Sequence, residues 1–154
     1  MSIFVPHSPS GYTIFCDEVR QEIGGKLLFI GVYSGDMVVF GAPPFAMRSF
    51  TAVVNYLERP GESHFPVKLK LFAPGSETAV SEFELSLDEA RAQFNAVAAP
   101  PGEDPMLKSL ILMQVSPLII TEPGLIKVRA YRGSDEFRLG TLNVIFQSPP
   151  GGTA

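Results

Sequence analysis

The sequence predicts an all-β protein, an antiparallel β-sandwich of about eight strands with one short crossover helix. Three observations carry this prediction. The chain of 154 residues contains 14 Gly and 14 Pro, which divide it into short segments separated by turns. The segments are rich in Phe, Tyr, Val and Ile, the residues that favour strands. Turn clusters recur along the chain at the spacing that sandwiches and barrels show.

The length of the chain predicts a single domain. A chain of 154 residues buries roughly 70% of the surface that it exposes when unfolded, so it needs neither metals nor disulfides to fold. Residues 1–11 are broken by two prolines and are predicted to form an N-terminal arm. Residues 12–147 are predicted to form the sandwich, and residues 148–154, which are rich in Pro and Gly, a disordered tail.

Eight apolar segments bounded by turn residues are the predicted strands. In chain order they cover residues 12–20, 26–34, 48–57, 66–73, 78–85, 107–120 with a break at Pro117, 125–132 and 136–147. Both faces of the segment 27–33 are apolar, which predicts a central strand covered on both sides.

One hairpin has a register that the sequence alone predicts. Val67, Leu69 and Leu71 alternate with lysines before the turn at residues 74–76, and Phe83 and Leu85 alternate with glutamates after it. Centring the turn on Ser76 pairs Lys70 with Glu82, Lys68 with Glu84, Leu69 with Phe83 and Val67 with Leu85. This register gives one apolar face and one face of opposite charges.

Two further elements follow from local patterns. The apolar residues of the last strand change parity between Leu139 and Leu142, so a bulge at Gly140–Thr141 is predicted to turn both sets toward one core. Ser86 and Glu89 form a capping box, and Ala90, Phe94 and Val97 follow at near-helical spacing. These residues are the predicted crossover helix, which Pro100 and Pro101 must end.

The charge of the chain and its lack of targeting signals limit the partners and the cellular compartment that we expect. The chain has 16 acidic and 12 basic residues, a net charge of −4, which opposes attraction to a phosphate backbone and predicts no nucleic-acid partner. The N-terminus lacks the features of a signal peptide, and no apolar run is long enough for a transmembrane helix, so no membrane association is predicted. The single cysteine fits a reducing compartment, which favours a cytoplasmic location.

The common chemical motifs are absent from the sequence. Gly24–Gly25–Lys26 lacks the remaining residues of a phosphate-binding loop and is predicted to be a hairpin turn. His7, His64 and Cys16 do not have the spacing of metal ligands, so no metal and no cofactor is predicted. Cys16 is a hypothetical nucleophile for a hydrolase, but a small buried side chain is the more ordinary interpretation.

One charged stretch is the candidate binding site, namely Asp17, Arg20, Glu22 and Lys26. One interpretation is a polar recognition edge. The other is a hairpin connection whose opposite charges pair with each other and discourage association of sheet edges.

Two segments resemble known proteins. Residues 12–17 (YTIFCD), Arg20, Glu22, Gly25–Lys26 and residues 30–33 (IGVY) resemble the opening of an uncharacterised bacterial family, which implies a bacterial or phage-associated origin and no catalytic residue. Residues 122–133, where Pro-Gly leads into a strand and a polar turn, are similar to the last hairpin of immunoglobulin-like domains. This likeness favours an immunoglobulin-like sandwich over a barrel.

Because no catalytic motif is visible, the protein is not expected to be an enzyme. The leading hypothesis is a non-enzymatic protein-binding or assembly module. Four phenylalanines in or beside turns, some of which could form a contact patch, are Phe40, Phe45, Phe50 and Phe72. Self-association through such a patch is one form of this hypothesis. The alternatives are a small hydrolase that uses Cys16 and a sensor that holds a small ligand between its sheets.

Overall fold

The computed structural model describes residues 10–58, 66–86, 88, 107–149 and 151. The twelve elements of this part of the chain are all strands, which confirms the all-β prediction. In chain order they are β1 Ser10–Cys16, β2 Glu18–Gln21, β3 Leu27–Ile30, β4 Met37–Phe40, β5 Phe45–Met47, β6 Phe50–Glu58, β7 Val67–Phe72, β8 Ser81–Leu85, β9 Leu107–Val115, β10 Leu118–Ile120, β11 Gly124–Arg132 and β12 Asp135–Gln147.

Two main sheets share one core. The first has the order β1-β6-β9 and the second the order β4-β12-β11-β7-β8, while β5 pairs with β10 and β2 pairs with β3. Buried side chains from both main sheets form one apolar cluster, for example Val54 and Met113 from the first sheet and Leu69 and Val128 from the second. This arrangement is a sandwich, in which the inward-facing residues of each strand alternate with outward-facing ones.

The central strand of the first sheet is β6, which pairs with β1 on one side and β9 on the other. Eight of its nine side chains are buried, on both faces. The apolar pattern predicted this central, doubly covered position for residues 27–33, and that prediction is wrong. The segment instead contributes β3 to a separate two-stranded hairpin, where Leu28 is 43% exposed.

The β7–β8 hairpin has the predicted register. Lys70 lies opposite Glu82, Lys68 opposite Glu84, and the apolar residues pair with each other as expected. The Lys70 ammonium is 3.5 Å from a Glu82 carboxylate oxygen. Complementary faces and a short connection leave one favourable register, so the local sequence determines it.

The last strand contains the predicted bulge, one residue before the predicted position Gly140–Thr141. Along β11 the partner changes from Gly140 for Val128 to Arg138 for Arg129, so Leu139 is the extra residue, immediately before Gly140. Gly140 also allows β1 to approach, because a Cβ atom there would lie only 3.0 Å from the Cβ atom of Thr13. The bulge turns the apolar residues on both sides of it toward the core.

The structure adds short strands that the sequence pattern did not show. The predicted strand 12–20 breaks at Asp17 into β1 and β2, and the turn-rich segment 34–47 contains β4 and β5. Strand β4 pairs with β12 in parallel, whereas a wholly antiparallel sandwich was predicted. A strand of three or four residues has too little alternation to be recognised in sequence.

The predicted crossover helix and N-terminal arm lie largely outside the described residues. The crossover helix falls almost wholly on residues 87 and 89–106, which lie outside the described residues. The N-terminal arm also lies outside them up to residue 9, and β1 begins at Ser10. The immunoglobulin-like type of the sandwich stays a prediction.

Candidate functional site

The charged stretch of the sequence forms an independent β-hairpin. Strands β2 and β3 pair only with each other among the described strands. Between them, Gly24 and Gly25 both have positive φ, 89° and 79°, the conformation that glycine adopts at no steric cost. The amide of Glu22 donates to the carbonyl of Lys26 at 2.7 Å and closes the turn, which confirms the predicted hairpin turn.

The hairpin exposes apolar side chains. Ile23, at its tip, is 100% exposed, and Leu28 is 43% exposed. Val19, Leu27 and Phe29 are only half-buried. The register places Leu28 on one face of the hairpin and Val19, Leu27 and Phe29 on the other. Isolated apolar residues are ordinary on protein surfaces, but several exposed on one hairpin make it a candidate contact surface.

The base of the hairpin is fixed by Asp17 and Tyr33. The Tyr33 hydroxyl donates a hydrogen bond of 2.6 Å to the Asp17 carboxylate, and the Asp17 amide donates to the carbonyl oxygens of Ile30 and Gly31. Burial and the hydrogen bond to Asp17 raise the pKa of Tyr33, so its hydroxyl remains a donor at neutral pH. The two ends of the hairpin are therefore held together where they leave the sandwich.

Glycine is required at position 31 for this closure. Gly31 has a φ of 70°, and a Cβ atom there would lie 2.3 Å from an Asp17 carboxylate oxygen. Any other residue would therefore meet both backbone strain and a steric clash. The absence of a side chain at Gly31 lets the Asp17 carboxylate lie against the backbone that follows β3.

Aromatic packing connects this base to the core. The Phe50 ring lies 5.9 Å from the Phe15 ring and 6.3 Å from the Tyr33 ring, measured between centroids. Phe50 is fully buried. An isolated two-stranded hairpin is marginally stable in water, so this contact with the sandwich gives the hairpin its support.

The four residues predicted as a binding site lie at different places on the hairpin. Asp17 is at the base, while Glu22 and Lys26 flank the turn at the other end. Arg20 pairs with Glu18, with 3.1 Å between its Nε and a carboxylate oxygen, as the interpretation of internal charge pairing expects. Arg20, Glu22 and Lys26 thus surround the exposed apolar tip, whereas Asp17 positions the hairpin.

The four phenylalanines of the expected contact patch differ in their burial. Phe40 and Phe45 are exposed, at 55% and 37%, while Phe50 is buried in the core. Phe72, the last residue of β7, is half-buried. All four lie at the end of a strand, so their different burial depends on which face of its sheet each side chain occupies and on what covers that face.

Cys16 lies in the interior, where a thiol is poorly activated. Its side chain is fully buried at the end of β1. Burial and the negative charge of Asp17 raise the pKa of the Cys16 thiol, and a nucleophilic cysteine requires the opposite shift. These features match a small buried hydrophobe.

We expect Cys16 to react slowly in the folded protein. At about pH 8, iodoacetamide should label native Cys16 at least about tenfold more slowly than the same residue in the urea-unfolded chain, because the thiolate is disfavoured and inaccessible. Mass spectrometry of quenched samples measures both rates. Equal rates, or fast labelling below neutral pH, would revive the hydrolase hypothesis.

A buried polar cluster lies between the sheets at one end of the sandwich. Glu58, the last residue of β6, is fully buried and forms an ion pair with Arg132, the last residue of β11. Tyr56 and Ser109, cross-strand neighbours, are buried with hydroxyl groups that have no hydrogen-bond partner in the described structure. Burial and the charge of Glu58 raise the pKa of Tyr56.

This cluster was not predicted from the sequence, because the predicted strand 48–57 ended one residue before Glu58, which is the last residue of β6. One signal was present in the sequence. Glu58 has the same strand parity as Val54 and Tyr56 and therefore shares their core-facing side. A carboxylate on an inward face requires a cationic partner, which Arg132 supplies.

Within the described residues, no group of three or more His, Cys, Asp or Glu side chains is placed to hold a metal ion. Among the same residues no helix has the length and apolar character needed to cross a membrane. Comparisons with protein-family models, curated proteins and solved structures find no significant match to this chain.

Proposed function

We propose that the protein is a non-enzymatic protein-binding or assembly module and that the β2–β3 hairpin is its contact element. The observation that carries the proposal is the wholly exposed Ile23 at the tip of a hairpin whose strands pair with no other described strand. Burial of a large apolar side chain contributes about 1.5–3 kcal/mol, and a fully exposed side chain lacks this contribution. A protein partner recovers that free energy on binding.

The surroundings of the tip resemble the layout of a protein interface. Interfaces have an apolar centre and a polar rim, and here Arg20, Glu22 and Lys26, all exposed, surround Ile23 and Leu28. The hydrogen bond between the Tyr33 hydroxyl and the Asp17 carboxylate restricts the motion of the hairpin before it binds a partner. Such preorganisation reduces the entropy lost on association.

The origin and the location of the protein belong to the same proposal. The resemblance of residues 12–33 to an uncharacterised bacterial family supports a bacterial or phage-associated origin, and the hairpin falls within that segment. The single buried cysteine supports a cytoplasmic location. A second copy of the chain is one partner that fits an apolar tip.

The alternative functions have less support. The hydrolase hypothesis depends on Cys16, which is buried and whose thiol pKa is raised by burial and by the negative charge of Asp17. The ligand-sensor hypothesis stays a prediction that a thermal-shift screen with metabolites would test.

Substitution of the hairpin tip is expected to abolish partner binding. The wild-type protein, the double variant Ile23→Ser/Leu28→Ser and the control Val80→Ser should be used as matched baits in extracts of the native host. Val80 is 41% exposed and lies in the β7–β8 connection, so its loss removes a similar apolar side chain elsewhere. We expect at least one protein, or a second copy of the chain, to be retained by the wild type and the control and lost from the hairpin variant.

The same three proteins should be examined by sedimentation velocity across a concentration series. This measurement separates self-association from binding of a different protein. Equal capture by all three baits, together with monomeric sedimentation of each, would contradict the proposal.

A further inference from the structure

The outer face of the five-stranded sheet carries a row of three cations. Lys70, Arg129 and Arg138 lie opposite one another on the neighbouring strands β7, β11 and β12. The alternate residues of β7 and β11 point into the core, so these side chains share the opposite face. Like charges in direct cross-strand positions are destabilising, and the row therefore requires anions nearby.

The chain neutralises only part of this row. Glu82 pairs with Lys70 at 3.5 Å, and Glu136 pairs with Arg129 at 3.6 Å. Within the described part of the chain, Arg138 and the neighbouring Lys127 have no carboxylate within 4.0 Å. In a protein of net charge −4, two unpaired cations beside a paired arginine form a local positive site.

A groove of about 650 Å³ runs along these residues. Its charged and hydroxyl-bearing lining includes Glu77, Lys127, Arg129, Tyr131, Glu136 and Arg138. This volume lies within the range of small-molecule sites.

Arg129 is the most constrained of the cations. Its side chain is only 9% exposed, and its Nη1 donates to the carbonyl oxygen of Val128 at 3.0 Å. A guanidinium held in this way is a preorganised donor for a planar or tetrahedral oxyanion.

Glu136 shows what kind of group the groove accepts. One of its carboxylate oxygens is 3.6 Å from Arg129 Nε and also accepts a hydrogen bond of 3.5 Å from the Tyr131 hydroxyl. Because the Glu136 side chain is 55% exposed, it is free to leave this position. The chain's own carboxylate thus occupies part of a site that an external anion would share.

We propose that this groove binds a small oxyanion, a carboxylate or phosphate group carried by a small molecule, between Lys127, Arg129 and Arg138, with the Tyr131 hydroxyl as an additional donor. Burial and the charge of Glu136 raise the pKa of Tyr131, which keeps the hydroxyl protonated. The site lies on a different sheet from the hairpin and is independent of the function proposed above.

The proposal predicts saturable binding of simple oxyanions. The ¹⁵N-labelled protein should be titrated separately with inorganic phosphate and with citrate near neutral pH, at an ionic strength held constant with NaCl, while amide shifts are followed by NMR. We expect saturating shifts in β7, β11 and β12 with a dissociation constant near or below about 1 mM. Saturation with phosphate alone, citrate alone or both identifies a phosphate, a polycarboxylate or the shared chemistry.

Matched variants locate the site. Arg138→Gln and Lys127→Gln should each weaken binding about two- to fivefold, the range expected for a solvent-accessible charge contact. Glu136→Gln should strengthen it by a similar factor, because the competing carboxylate is removed. Lys108→Gln, an exposed cation on β9, should leave it unchanged. Shifts that do not saturate, or equal affinities for all four variants, would overturn the proposal.

Discussion

Replacing Glu58 with glutamine is expected to lower the free energy of unfolding by about 3–5 kcal/mol, because it breaks the buried ion pair with Arg132. Glu58 is fully buried at the end of β6, and its carboxylate is bonded to the Arg132 guanidinium across 74 residues of sequence. Whole domains are stable by only about 5–15 kcal/mol, so the loss should be evident in a urea unfolding curve.

A double-mutant cycle separates the ion pair from other effects of substitution at these sites. Arg132→Gln alone should also destabilise strongly, because it breaks the ion pair of the fully buried Glu58 carboxylate. The double variant Glu58→Gln/Arg132→Gln should be less destabilised than the sum of the two single variants, with a coupling of about 1–3 kcal/mol. If Glu58→Gln lowered the free energy of unfolding by less than about 1 kcal/mol, the assignment of a structural ion pair would be contradicted.

Replacing Phe50 with alanine is expected to cost about 3–5 kcal/mol, the range for a large aromatic side chain removed from a packed core. Phe50 is fully buried and packs against the rings of Phe15 and Tyr33. The resulting cavity would lie under the base of the β2–β3 hairpin. We therefore also expect faster hydrogen exchange of the Asp17 amide, which donates to the carbonyls that follow β3.

Phe40→Ala is the matched control for this prediction. Phe40 is 55% exposed on the short edge strand β4, and its truncation should change the free energy of unfolding by less than about 1 kcal/mol. Both variants can be compared by chemical denaturation. Similar losses for the two phenylalanines would show that Phe50 does not fill the core position described above.

The sequence was most informative where neighbouring segments complement each other. The register between Lys70 and Glu82 follows from two alternating segments joined by a short turn, and only one alignment satisfies both faces. The bulge beside Gly140 follows from a change of parity within a single strand. Both inferences need information from one continuous stretch of chain.

The error at Leu28 has a different physical origin. Alternating apolar residues show which side chains a strand carries, but they do not show what covers them. In β3 nothing in the described structure covers Leu28 fully, and the apolar faces that predicted a core strand instead form an exposed hairpin. This exposed apolar surface is the observation on which the proposed contact element rests.

The residues around the candidate sites depended on long-range contacts. Glu58 and Arg132 meet only because β6 and β11 end on the same side of the sandwich, and the row from Lys70 to Arg138 requires the order of three strands from distant segments. Asp17 was selected from sequence as a binding residue, and the sequence did not show that its carboxylate accepts a hydrogen bond from Tyr33. Sheet order, which local patterns do not encode, decides the first two of these cases.

Site-specific photo-crosslinking tests the central claim most directly. A benzophenone amino acid should be placed at position 23 or, as a control, at position 80, and irradiated in cells of the native host. If the hairpin is the contact element, position 23 should give a discrete adduct with one protein or with a second copy of the chain, and position 80 should not. No adduct at position 23, or the same adducts from both positions, would contradict the assignment of the hairpin as the binding surface.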